Sequence, residues 1–327
     1  MIRRRILLTS GASLLAAPAL AQRNAGGLPD RPITITVPFA AGGPTDVVTR
    51  LVAEGMAKDL GQAVVVENVT GAGGTIAAAR VAQARPDGTT LLMHHIGHAS
   101  TATLYRKLSY DVQESFAPLG LASDAAMTLV ARPDFPATDL AGYMAEIRDK
   151  GDKLTLAHAG LGGANQLCGM LLQRAAGRAL TTVVFRGSAP AITEMVAGRI
   201  DVFCDQATNT APFIKENRIR AYAVTLPQRV PGLDHLPTTA EAGEPSILMS
   251  TWHGLYAPAS TPEEVQQRLA AALRAALQEK RLLDRFSELV TQPAAQDRAT
   301  PEYHRRYLAE EVARWRPIIQ DAGVYAD

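Results

Sequence analysis

Ile33-Thr34-Ile35-Thr36-Val37-Pro38-Phe39-Ala40-Ala41-Gly42-Gly43-Pro44-Thr45-Asp46 reads as a strand, a glycine turn and the start of a helix. Five β-branched residues in a row favour extended backbone, and Pro38 ends the run because it has no N–H for a ladder. Gly42 and Gly43 open backbone angles that a Cβ forbids. The apolar residues Val47, Val48, Leu51 and Val52 then recur at helical spacing. A helix that starts beside two glycines presents unpaired N–H groups and the positive end of its dipole, a combination that attracts an anion.

The same device recurs. Val64-Val65-Val66-Glu67 is followed by Gly71-Ala72-Gly73-Gly74-Thr75 and a helical run over 76–84, and Leu91-Leu92-Met93 makes a third strand. Further on, Leu154-Thr155-Leu156-Ala157 leads into Gly160-Leu161-Gly162-Gly163-Ala164-Asn165, with a helix expected over 166–176. Thr182-Val183-Val184-Phe185 leads into Arg186-Gly187-Ser188-Ala189-Pro190, where Pro190 suits a first helical turn. Strands alternating with helices predict parallel sheets covered by helices, with ligands received at the carboxyl ends of the strands. Two such α/β lobes are expected. Lobe 1 takes residues 22–131 and 251–327, and lobe 2 takes 132–250, so the chain crosses twice and forms a hinge. The four glycine turns then face one another across a cleft. Asp46 is expected to cap its own helix and steady the first turn, and Thr45 fits either a capping or a ligand role. Thr261 is expected to cap a helix with Pro262 at its first position and Glu264 reaching back.

A chain of 327 residues with formal net charge +1 and no basic stripe does not suit nucleic acid. Arg3-Arg4-Arg5, the apolar residues that follow and Ala19-Leu20-Ala21 form an export signal over 1–21, too short for a span of ~20 apolar residues. The arginines fit the twin-arginine and the general route equally. Export places the mature chain in the periplasm, where Cys168 and Cys204 fit either a disulfide or two buried thiols. His94-His95-Ile96-Gly97-His98 reads as polar loop residues at the lip of the cleft. Without a nearby carboxylate or cysteine it is not assigned a metal, and no cofactor is implied. No phosphate-binding loop, serine elbow or zinc-protease motif is present, and no enzyme activity is expected.

Val37-Pro38-Phe39-Ala40-Ala41-Gly42-Gly43-Pro44-Thr45-Asp46, Pro86-Asp87-Gly88-Thr89, Gly187-Ser188-Ala189-Pro190-Ala191, Leu236-Pro237-Thr238-Thr239-Ala240-Glu241-Ala242-Gly243 and Ala257-Pro258-Ala259-Ser260-Thr261-Pro262 together resemble the Bug proteins. These are periplasmic solute receptors of tripartite tricarboxylate transporters. Cys168-Gly169-Met170-Leu171, Cys204-Asp205-Gln206 and Trp252-His253-Gly254-Leu255-Tyr256 are similar to the BugD-like branch. The resemblance implies a two-lobe Venus-flytrap fold, each lobe a mixed, mostly parallel sheet flanked by helices. It implies a monomer that binds a small carboxylate and delivers it to a membrane permease, and the BugD-like branch is associated with aspartate. It places ligand contacts on Phe39, Ala40, Ala41, Gly42 and Gly43 and on Ala72, Gly73 and Gly74. From lobe 2 it suggests Gly160, Gly162, Gly163, Ser188 and Asp205. Thr45 is added from its place in the first turn, and Asp205 is expected to accept from a ligand ammonium or to cap the next helix. Asn165-Gln166 and Phe185-Arg186 depart from the branch's usual Ser-His and Tyr-Lys. A sensor subunit and a periplasmic enzyme acting on a carboxylate are the competing readings.

Overall fold

A computed structural model describes residues 27–326, so the export segment expected over 1–21 lies outside the described residues. The chain alternates β1 (Ile33–Val37), α1 (Pro44–Leu60), β2 (Val64–Asn68), α2 (Thr75–Ala82), β3 (Thr90–His95) and α3 (Gly97–Leu104) before the long β4 (Phe116–Ala131). A second series follows: α4 (Leu140–Lys150), β5 (Thr155–His158), α5 (Ala164–Ala176), β6 (Thr181–Val184), α6 (Ser188–Val196), β7 (Val202–Gln206), α7 (Ala207–Lys215) and β8 (Arg220–Val224). The chain closes with β9 (Ser250–Pro258), α8 (Glu263–Ala276), α9 (Lys280–Glu288), β10 (Thr291–Pro293) and α10 (Pro301–Ala322).

The strands lie in the order β2-β1-β3-β9-β4-β7-β5-β6. β1 pairs in parallel with β2 and β3, and β5 in parallel with β6 and β7. The antiparallel pairings all involve β4 or β9. β4 changes partners part-way along. Its residues from Phe116 to Ala126 pair with β9, whereas Met127 to Ala131 pair with β7. A single strand therefore belongs to both halves of the sheet, and β9 returns opposite Ala126 at Ser250.

Ile33, Ile35 and Val37 are fully buried, so β1 has a core on one face along its whole length. Gly61 takes the left-handed conformation that ends α1, and its N–H donates to the Ala57 carbonyl. On the far side of the sheet, α10 is anchored by Glu311. The indole N–H groups of Trp252 and Trp315 both donate to its Oε2, at 3.2 and 3.3 Å, and Arg314 donates to Oε1 at 3.1 Å. Those bonds offset the cost of burying the carboxylate.

One local expectation changes, and two points that the sequence leaves open are decided. α8 starts at Glu263 with Pro262 at the cap position, and the Thr261 hydroxyl donates backward to the Pro258 carbonyl at 2.7 Å instead of capping. α7 had no glycine turn before it and carries Pro212, so its period was hidden. Cys168 and Cys204 form a disulfide that ties α5 to β7. No helix among the described residues is long and apolar enough to cross a membrane.

Candidate functional site

The four glycine turns do meet at one crevice, but many of their amides are spoken for. In the first turn Gly42 is left-handed, and its N–H donates to Asp46 Oδ2 at 2.9 Å. The buried Asp46 also accepts from Arg50 and, at 2.9 Å, from Asn68, whose Nδ2 also donates to the Phe39 carbonyl. Burial pushes the Asp46 pKa up, but these hydrogen bonds outweigh it and hold the carboxyl below its ordinary value. Asp46 thus ties the turn back on itself, and the cap position belongs to Gly43, without a side-chain cap. The Gly43 N–H donates to the Ala40 carbonyl at 3.3 Å. The amides of Phe39, Ala40 and Ala41 find no acceptor among the described residues.

The second turn, residues 71–74, has positive φ at all four positions, Ala72 included. Gly74 donates to the Gly71 carbonyl, which leaves Gly71, Ala72 and Gly73 as its unpaired donors among the described residues. Glycine at 73 is required by proximity as well. A Cβ there would stand 2.0 Å from the Leu161 carbonyl oxygen on the opposite lobe.

In the third turn the protein's own atoms take most donors. Gly160 donates to His158 Nδ1, Gly162 to Gln166 Oε1 and Gly163 to the Gly160 carbonyl. Ala159 donates to Asn165 Oδ1 at 2.9 Å. Leu161 keeps a free amide among the described residues. In the fourth turn α6 opens after Gly187 with no side-chain cap, so the Ser188 and Ala189 amides at the positive end of its dipole are unpaired.

A buried polar cluster stands behind this wall. Ser188 Oγ donates to Asp205 Oδ1 at 2.9 Å and accepts from Asn165 Nδ2 at 3.1 Å. Asn209, from α7, donates to Asp205 Oδ2 at 2.6 Å. Burial is the main influence on Asp205 and raises its pKa to about 6, against the lowering effect of its hydrogen bonds. Both carboxylate oxygens are engaged within the protein, and Asp205 does not line the crevice.

The crevice has two connected compartments that share Phe39, Ala40, Ala159 and Gly187. The outer one has a volume of about 520 Å³ and takes Ala72, Gly73, Gly74 and Gly160 into its wall. The inner one is a narrow recess of about 20 Å³ bounded by Gly43, Thr45, Gly163 and Ser188, with His95, Asn165 and Gln206. Of the residues singled out from sequence, Ala41, Gly42, Gly162 and Asp205 lie outside both walls. Gly162 instead touches the opposite lobe, where its carbonyl oxygen would be 2.1 Å from a Cβ at Gly97.

The histidines are not a loop at the lip. His94 and His95 end β3, His98 lies in α3, and all three are buried. His95 stacks on Phe39 with ring centroids 4.4 Å apart, and its Nδ1 accepts from the Gly97 amide. Burial lowers the pKa of His95 and of His98 to about 3, so both rings are neutral near pH 7. His253 reaches Thr45 Oγ1 with Nε2 (3.2 Å) and Ser123 Oγ with Nδ1 (2.9 Å). The rings act as a floor for Phe39 and Thr45. Among the described residues no three metal-ligating side chains are placed to hold an ion.

Sequence reasoning did not assign wall positions to Tyr105 or Val184, and it carried Leu161 only as part of the Gly160 to Gly163 turn. Asn165 and Arg186 did carry a signal, since each sits within two residues of a turn glycine.

Known proteins share this fold. The sequence profile described as "Tripartite tricarboxylate transporter family receptor" matches residues 48–324. The UPF0065 protein in the TAR-I ttuE-ttuC' intergenic region of Agrobacterium vitis is 44% identical over 318 residues, covering 97% of this chain and 90% of that one. The periplasmic binding protein BugD superposes with a TM-score of 0.88 at 40% identity, covering 91% of this chain and 100% of that one. MatC from Rhodopseudomonas palustris with bound malate gives a TM-score of 0.86 at 38% identity, covering 89% and 100%. The chain therefore belongs to the tripartite tricarboxylate transporter receptors, the solute-binding family that includes the Bug proteins.

Proposed function

We propose that this chain is a periplasmic solute receptor that captures a small carboxylate between its lobes and delivers it to the permease of a tripartite tricarboxylate transporter. The ligand class is an acidic amino acid such as aspartate, or a di- or tricarboxylate. The observation that carries this reading is the set of unpaired amides at Phe39, Ala40, Ala72, Gly73 and Ser188, drawn from both lobes to one crevice that no acidic side chain lines. Preoriented N–H donors at a helix start favour a carboxylate without needing a paired cation. The malate in MatC, 38% identical to this chain, supports the same ligand class.

In this reading residues 22–131 and 251–327 form one lobe and 132–250 the other, with β4 and β9 as the hinge strands. The chain works as a monomer, and closure presents the loaded form to the permease. Asp205 acts through Ser188 and Asn165 to hold two turns of lobe 2 in place. The test is thermal denaturation of the purified mature protein with malate, succinate, citrate, aspartate and glutamate. A ligand of this site raises the midpoint with dose, because it binds the native state alone. If none does so at millimolar concentration, or if one is chemically consumed, the receptor reading fails.

A further inference from the structure

The turn over 71–74 holds a backbone that its own residues do not all favour. Its four φ angles are positive, and Ala72, at +43°, carries a Cβ that resists this region. Such a conformation persists only where its surroundings fix it. Neighbouring side chains crowd it closely. An added Cβ would stand 2.7 Å from Ile76 Cδ1 at Gly71 and 2.6 Å from His94 Nε2 at Gly74. At Gly73 it would stand 2.6 Å from the Tyr105 hydroxyl. Ile76 belongs to α2, which the turn feeds, and His94 to β3. Tyr105 comes from neither, being the first residue past α3, in extended backbone.

The end of the chain holds Tyr105. The Ala326 N–H donates to the Leu104 carbonyl at 2.7 Å, and the Arg106 N–H donates to the Ala326 carbonyl at 3.1 Å. These two bonds bracket Tyr105 in a parallel bridge. The Arg106 guanidinium also lies over the Tyr325 ring, 4.8 Å from its centroid. The tail is itself anchored. Left-handed Gly323 ends α10 and donates to the Gln320 carbonyl, and Glu311 ties α10 to Trp252 of β9. A line of contacts therefore runs from β9 through α10 and the tail to Tyr105. From there it reaches the turn whose free amides line the outer compartment.

We propose that residues 324–326 are a strap that positions this turn: Ala326 fixes Tyr105, and Tyr105 holds 71–74 in its left-handed conformation with the amides of Gly71, Ala72 and Gly73 free. The inference deepens the receptor reading above and rests on it for the ligand. Ala326 is a positioning residue, since it lines neither compartment. Loosening the strap lets Ala72 relax toward negative φ, which rotates the adjoining N–H groups away from the crevice.

Gly74 and Thr75 report the state of the turn, because their N–H groups donate to the Gly71 and Ala72 carbonyls. NMR-detected hydrogen exchange compares the mature wild type with three variants: a chain ending at Gly323, Ala326→Pro and Tyr105→Ala. The proline removes one N–H donor and leaves the tail in place. Each variant is expected to speed exchange at Gly74 and Thr75 about tenfold or more, with the β3 amides unchanged. Adding Tyr105→Ala to the shortened chain should give no further acceleration, because both changes break one line of contacts. Calorimetric titration with malate should show a parallel loss of affinity of about tenfold or more. Unchanged exchange at the turn in any of the three variants overturns the proposal. Equal acceleration in β3 overturns it too, since that marks a general loss of stability, as do additive effects of the two changes. Accelerated exchange with unchanged malate affinity also overturns it. If the wild type binds no malate, exchange at the turn alone decides the proposal. If it binds no acid of the panel above, the receptor reading falls separately.

Discussion

The Ser188 hydroxyl donates to the Asp205 carboxylate at 2.9 Å, so its one proton is spent inside the protein. The same hydroxyl accepts from Asn165, whose Oδ1 takes the Ala159 amide. One buried carboxylate thereby connects the turn after β5 to the start of α6. What lobe 2 offers an incoming anion is backbone N–H, with the side chains of Ser188 and Asn165 already committed.

Asp205 should make stability depend on pH in an unusual direction for a carboxylate. The fold raises its pKa from 3.8 to about 6, so the proton is bound more tightly in the native state. That contribution is fully present below the unfolded value and is lost as pH rises through about 6. It is worth on the order of 3 kcal/mol. Urea unfolding of the wild type and Asp205→Asn from about pH 4 to about pH 7 should show the wild type losing stability relative to the variant as pH rises. Parallel curves for the two proteins would mean that the buried carboxyl does not titrate in this range. An ammonium-free dicarboxylate should also bind the wild type more tightly as pH falls from about 7.5 toward about 6, above the range in which its own second carboxyl protonates, and Asp205→Asn should flatten that slope.

Gly97 tests closure. Its backbone is not left-handed, so alanine adds no dihedral strain there. The added Cβ would stand 2.1 Å from the Gly162 carbonyl oxygen across the crevice and 2.6 Å from the His95 ring. Gly97→Ala is expected to keep its helical content but hold the lobes apart and weaken ligand binding by about tenfold or more. Small-angle scattering with saturating ligand gives a direct reading: the wild type contracts, the variant does not. Contraction of both to one radius would show that this contact does not govern closure.

The Cys168–Cys204 bridge closes a segment with a sequence separation of 36 and joins the helix carrying Asn165 to the strand carrying Asp205. Replacing both cysteines by alanine is expected to cost about 3 kcal/mol, chiefly by freeing the unfolded chain. The oxidised wild type should show no reactive thiol after denaturation. Two thiols per chain, or a double variant of unchanged denaturant midpoint, would contradict the assigned bond.

Much of the fold was legible because its signals are local. The β-branched run Ile33 to Val37, the glycines at 42 and 43 and the apolar period of α1 each act within a few residues, and so does the repetition of that pattern along the chain. The place of each turn at a strand's carboxyl end follows from that alternation. Which amides remain free did not follow, even where the partner was near in sequence. Gly42 and Asp46 are four residues apart, as are Gly162 and Gln166, yet the rotamer that joins each pair is set by packing around it. The other decisions were longer-ranged. Tertiary packing turned the histidines from a lip into a buried floor, placed Leu161 against Gly73, and left Arg186 on the crevice wall without a partner among the described residues. The sequence by itself determined the backbone conformations and their periodic order, because these depend on sterics between neighbouring residues. Tertiary structure decided which polar groups face the crevice, because burial and hydrogen-bond partners come from segments that meet only after folding.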